Sequence, residues 1–196
     1  MTITAKQIAE FRAKTGLPMM ECKKALTETS GDEEKALEFL RKKGIVKAAE
    51  KSERDTKAGL IESYIHNGGR IGVLVEVLSE TDFVAKNEEF KSFVHDIALH
   101  IAAVNPKYVS KEEVPAEEIK EQKKNLEEQV AGENKPAEIV EKIISGKLEK
   151  YYSEICLLNQ PYVKDPDITV GELLSSKIQK IGENIVISRF VRFEIA

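Results

Sequence analysis

The sequence predicts an α+β protein: a three-helix N-terminal bundle, then a three-stranded antiparallel sheet packed with helices and carrying a protruding helical hairpin. Three observations carry this prediction. The first fifty residues contain three short apolar-striped stretches with helix-capping residues in front and glycine behind. Residues 60–78 change to a period of two around Asn67-Gly68-Gly69. The segment IVISRFVRFEIA, preceded by Gly182-Glu183-Asn184, returns to strand character far along the chain. A sheet that joins these segments has to be closed by the last of them. The expected domains are 1–53, a three-helix module with its linker, and 54–196, an α+β core.

Each element has its own signal. Thr4 and Gln7 make a capping box, Ile8 and Phe11 start an apolar face, and Gly16 ends the first helix. Pro18 suits a first turn, Cys22, Ala25 and Leu26 form the buried stripe, and Gly31 closes the second helix. Asp32 caps the third, Ala36, Leu37 and Leu40 face inward, and Arg41 to Lys43 suit the negative end before Gly44. Leu60 to His66 and Ile71 to Leu78 read as a hairpin. Asn87 caps a helix with Phe90, Phe93, Val94, Ile97, Ala98 and Ile101 on one face, ending near Asn105-Pro106. Residues 112–131 and 136–152 read as an antiparallel helical pair spanning about 112–152, with Gly132 as stop and Pro136 as start. In that pair Ile119, Leu126 and Val130 oppose Ile139, Ile143 and Leu148. A helix over Val170 to Ile181 precedes the final strand.

Composition narrows the function. Residues 1–57 carry 13 Lys/Arg against 10 Asp/Glu, net +3, and the remainder 17 against 24, net −7. With a pI near 5.6, this is not the concentrated positive charge of a nucleic-acid binder. The basic stretch 40–57 reads as a solvated helix end and linker; ribosome or RNA contact there is the alternative function. No phosphate loop, dinucleotide fingerprint, C-x-x-C or H-E-x-x-H occurs. His95 and His100, five residues apart, point away from each other on a helix. No enzymatic activity, cofactor or metal is expected. No apolar run approaches the roughly 18 residues of a membrane span, and Met1 to Phe11 lacks the pattern of an export signal. Cys22 and Cys156 in apolar helical contexts read as buried free thiols, consistent with a cytoplasmic protein.

Apolar residues also occur where a folded chain exposes its surface. Leu17, Met19 and Met20 sit in and after the first interhelical loop. Thr81-Asp82-Phe83-Val84 lies at a strand-to-helix corner, where periodicity alone favours Phe83 as a plug of the core.

Residues 15–44, TGLPMMECKKALTETSGDEEKALEFLRKKG, resemble the ubiquitin-associated-like N-terminal module of the elongation factor Ts family. ETDFVAKNEEF at 80–90 is similar to that family's most distinctive motif. The segments SYIHNGGRIGVLVEV, KPAEIVEKIISGKLEKYY and QPYV match as well, in order along nearly the whole chain. The resemblance overrides the core reading of Phe83. It implies guanine-nucleotide exchange during translation elongation, with elongation factor Tu as partner in its GDP-bound and nucleotide-free forms. Met19, Met20 and Lys23 match contacts to the partner's nucleotide domain. Asp82 and Phe83 match residues that approach the magnesium side of its pocket, Thr81 and Val84 hold that motif, and His66 matches a further contact. This chain is similar to the short members, which pair as homodimers. Ile187, Phe190, Val191, Phe193 and Ile195 give the final strand more apolar groups than one half-buried strand needs.

Overall fold

The computed structural model describes residues 3–130 and 136–195. In chain order its elements are α1 (Ala5–Thr15), α2 (Met19–Glu28), α3 (Glu33–Lys51), β1 (Ala58–His66), β2 (Ile71–Ser79), α4 (Asp82–Ala85), α5 (Glu88–Val104), α6 (Ala116–Val130), α7 (Ala137–Ile155), β3 (Pro161–Tyr162), β4 (Asp165–Thr169), α8 (Val170–Ile181) and β5 (Ile185–Glu194). The antiparallel sheet has the order β1-β2-β5, so the segments expected to meet do meet. The chain divides into two compact units. One comprises Met1–Ile61, Glu76–Val94 and Glu172–Ile187, the other Glu62–Val75, His95–Gly171 and Ser188–Ala196.

In the first unit, α1 to α3 form the predicted bundle. Gln7 N–H donates to Thr4 Oγ1 at 3.3 Å and Thr4 N–H to Gln7 Oε1 at 3.0 Å, a complete capping box. Gly16 takes φ +68° at the C-terminus of α1, a left-handed conformation that costs a side-chain-bearing residue energy. Ile8, Phe11, Leu17, Cys22, Ala25, Leu26, Ala36 and Leu40 make the bundle core. Burying a ring such as Phe11 contributes about 1.5–3 kcal/mol, and eight side chains, two of them alanine, make a small core.

Gly44 does not end α3. The helix continues to Lys51, and Gly44 is buried within it. A Cβ at this position would lie 2.9 Å from Gln179 Oε1 and 3.7 Å from the carbonyl of Ser175, both on α8. The glycine serves close helix approach instead of chain termination. Residues 45–51, expected as linker, are therefore helical, and Lys51 Nζ donates to the carbonyl of Gly182 at 2.6 Å.

The hairpin turns through Asn67, Gly68 and Gly69, with φ of +53°, +64° and +94°. Three successive left-handed residues explain why this loop is asparagine and glycine. Val73, Val75 and Val77 alternate on the buried side of β2. In the second unit, Ile65 and Leu74 lie exposed, as do Val191, Phe193 and Ile195 of the final segment.

The remainder of the second unit is held by polar anchors. His100 is fully buried: its Nδ1 accepts from Val163 N–H at 3.2 Å, so its Nε2–H donates to Gln160 Oε1 at 3.0 Å. Burial pushes the imidazole below its ordinary pKa, against the hydrogen bond to Gln160. The QPYV segment thus forms a small two-stranded sheet, β3 with β4, that periodicity did not indicate. At the base of the α6–α7 pair, Glu118 accepts from Tyr108 Oη at 2.7 Å and Tyr151 Oη at 2.6 Å. Burial and then Glu118 push the Tyr151 hydroxyl up to about 12. Cys156 is buried beside Val114 and Ile155, and burial pushes its thiol up to about 11. Helix α6 starts at Ala116, later than expected, because Lys111–Glu113 form a separate tight turn ahead of Pro115. Leu126 and Val130 are buried as predicted, whereas Ile139 is exposed. The turn expected around Gly132 lies outside the described residues; Pro136 is the N-cap of α7.

Candidate functional site

Helix α2 presents one candidate surface. Met19 and Met20 are 52% and 71% exposed, and Lys23 is exposed. Four and three residues separate Lys23 from the two methionines, so all three occupy one side of the helix. Leu17, in the preceding loop, turns into the core instead. The opposite side is anchored by Cys22, Ala25 and Leu26. Glu21 adds a bond from Lys47 Nζ at 3.1 Å and another from Lys43 Nζ, both on α3. The Lys43 hydrogen bond, against the cost of burial and with help from Lys47, holds the Glu21 carboxyl below the usual carboxylate range.

The second candidate is the corner at Thr81 to Val84. Phe83 is 89% exposed, which corrects the core-plug reading that periodicity favoured. Val84 and Ala85 point inward at 9% each, and Asp82 is exposed. Thr81 precedes α4 with extended backbone, φ −131° and ψ 155°, yet its side chain makes no cap for that helix. Its hydroxyl donates instead to Glu183 Oε1 at 2.8 Å, and its N–H to Glu183 Oε2 at 3.1 Å. The Thr81 carbonyl accepts from Ser79 Oγ at 3.1 Å and from Ala85 N–H at 3.2 Å.

His66 belongs to the second unit, whereas the other seven predicted residues belong to the first. It ends β1, exposed, with Nδ1 3.0 Å from Tyr64 Oη and its ring stacked on Tyr64 at 5.8 Å. Tyr64 also meets His95 edge-on at 5.6 Å, and His95 Nδ1 lies 2.9 Å from Glu62 Oε1. Sequence reasoning missed Tyr64 and Glu183 as supports. Tyr64 was signalled by its alternation with His66; Glu183 lies 102 residues from Thr81, beyond any local pattern.

The basic stretch is largely engaged within the protein. Lys42 pairs with Glu38 at 2.7 Å, Lys43 and Lys47 with Glu21, Arg54 with Glu80 at 3.4 Å and Lys57 with Asp55 at 2.9 Å. Such pairing opposes use of these cations as a phosphate-binding stripe. A groove of about 710 Å³ runs along α6, lined by alternating charges such as Glu117, Lys120, Glu121 and Lys124. Among the described residues, no group of three or more His, Cys, Asp or Glu is placed to hold a metal ion. No described helix is long and apolar enough to cross a membrane.

Exposed apolar side chains on firmly anchored supports are the kind of surface through which one macromolecule can engage another. Comparisons with known proteins give the family. Residues 92–196 match the family model for elongation factor TS. The chain is 59% identical over 195 residues to elongation factor Ts of Alkaliphilus metalliredigens, covering 100% of this chain and 90% of that protein. It is 58% identical over 192 residues to that of Acetivibrio thermocellus, covering 98% and 89%. With that of Carboxydothermus hydrogenoformans the identity is 56% over 193 residues, covering 98% and 89%. The chain belongs to the elongation factor Ts family, whose role lies in the elongation stage of protein synthesis.

Proposed function

We propose that this chain binds elongation factor Tu loaded with GDP in the cytoplasm and accelerates release of the nucleotide. The observation that carries the reading is Phe83, 89% exposed on an anchored turn beside Asp82. GTPases of the partner's class hold Mg²⁺ through a Ser or Thr and the phosphates through backbone N–H groups. A factor that stabilises a displaced arrangement of those groups needs no catalytic side chain, since no bond is made or broken. Linkage requires that factor and GDP weaken each other's binding equally. In this reading Phe83 is the wedge and Asp82 its polar neighbour. Val84 and Thr81 set the turn, Met19, Met20 and Lys23 supply affinity, and His66 adds a contact from the second unit.

The test is release of labelled GDP from elongation factor Tu with and without this protein. Acceleration that saturates with concentration is expected; no acceleration at any concentration defeats the reading. RNA binding that weakens steeply between low and moderate salt would support the alternative.

We further propose a homodimer joined through the sheet of the core, where Ile65, Leu74, Val191, Phe193 and Ile195 are exposed. Sedimentation at micromolar concentration is expected to give about twice the 22.0 kDa chain mass. A strict monomer there rejects it.

A further inference from the structure

Helix α4 is a single turn of four residues. A turn that short does not hold itself in water, because nucleation costs more than one hydrogen bond returns. Its capping hydroxyl is also turned away, toward Glu183. The support therefore comes from elsewhere in the chain, and the contacts form a closed pattern. Glu183 accepts the N–H of Thr81, the residue that follows Glu80. Glu80 in turn accepts the N–H of Asn184, the residue that follows Glu183, at 2.6 Å. The two segments thus exchange carboxylate-to-backbone bonds of the strong, charge-assisted kind.

The same pattern reaches the end of α3. Asn184, 3% exposed, donates from Nδ2 to the carbonyls of Ser52 at 3.4 Å and Arg54 at 3.1 Å. Arg54 Nη1 donates to Glu80 Oε1 at 3.4 Å, and Lys51 Nζ to the carbonyl of Gly182 at 2.6 Å. Segments 51–54, 79–84 and 182–184 are locked together within the first unit.

We propose that Glu183 is a positioning residue for Phe83, and that this three-segment clasp fixes the wedge relative to the end of the N-terminal bundle. The inference rests on the exchange reading above. A ring that displaces a partner's loop has to resist being pushed back; on a loose turn, the turn would yield and the partner would not. Pre-organisation of this kind removes an ordering cost at the moment of action.

The experiment compares the full-length protein with Glu183→Ala, Glu183→Gln, Phe83→Ala and the Phe83→Ala/Glu183→Ala double variant. Stimulated GDP release is measured over a range of factor concentrations, and backbone amide exchange is followed at residues 81–86. Glu183→Ala is expected to lower the maximal release rate about tenfold, a coupling typical of directly linked residues. The half-saturating concentration should change less than about twofold, and amide exchange across the turn should quicken. Glu183→Gln, which keeps the shape and one good acceptor, should recover part of the rate. In the Phe83→Ala background, loss of Glu183 should cost nothing further. An unchanged maximal rate for Glu183→Ala, or an equal loss with and without the ring, overturns the proposal. If the intact protein fails to release GDP, the exchange reading falls. Amide exchange then still judges the clasp, and unchanged protection at 81–86 overturns it.

Discussion

The two candidate surfaces of the first unit are held in opposite ways. Met19, Met20 and Lys23 ride on a ten-residue helix whose other side is a packed core, so their support is local. Phe83 rides on one turn whose segment is supported by contacts 102 and 104 positions apart in the chain. A surface on a packed helix is damaged mainly by changing the contacting side chains themselves. A surface on a borrowed turn is exposed to changes at distant positions that never touch a partner. The contrast fits the two tasks proposed above for these surfaces, since affinity can be spread over a broad helix face, whereas displacement has to be delivered at one point.

The largest effect that sharpens this comparison is expected at the ring itself. Phe83→Ala should cost about 2 kcal/mol or more in stimulated GDP release, roughly thirtyfold, with the thermal midpoint nearly unchanged. Met20→Ala should instead raise the half-saturating concentration, by about tenfold or less, and leave the maximal rate alone. A large loss of stability in Phe83→Ala would erase the distinction between the two surfaces.

The smallest effect concerns acid. Glu21 ties α2 to α3 with its carboxyl held low, first by the Lys43 hydrogen bond. A lowered folded-state value contributes stability that is fully present above the ordinary carboxylate range. It is lost as pH falls through the folded value. Thermal unfolding of the intact protein and Glu21→Gln should therefore differ at pH 6, by about 1 kcal/mol or less for a partly solvated pair. The difference should shrink as pH falls below the ordinary carboxylate range. A difference that does not shrink with acid would assign the effect of Glu21 to packing.

What the sequence discloses follows the range of the interaction. Capping at Thr4, Gly16 and Asp32 involves neighbours within four residues, and each is visible in order along the chain. Gly44 misleads because glycine serves two purposes that look identical in sequence, a helix stop and a close approach of backbones. Only α8, well over a hundred residues on, distinguishes them. The β3–β4 pair escapes because two residues are too few to show a period. At the site, the resemblance singled out Phe83, which the structure leaves exposed, but neither periodicity nor motif revealed Glu183. Its carboxylate acts on a backbone N–H, a group every residue but proline possesses, so no complementary side chain advertises the contact.

The strand order β1-β2-β5 also sets a timetable for synthesis. Strand β2 is central, and its second neighbour follows roughly a hundred residues later in the chain. At about 5–20 residues per second, a ribosome leaves one edge of the nascent hairpin without its partner for about 5–20 s. During that interval Val73, Val75 and Val77 belong to a two-stranded ribbon, which is marginal in water. The N-terminal bundle, built from contacts within the first fifty residues, has no such wait. The emerging chain therefore carries a closed module ahead of an open edge, and the open edge is where a nascent-chain chaperone has most to protect.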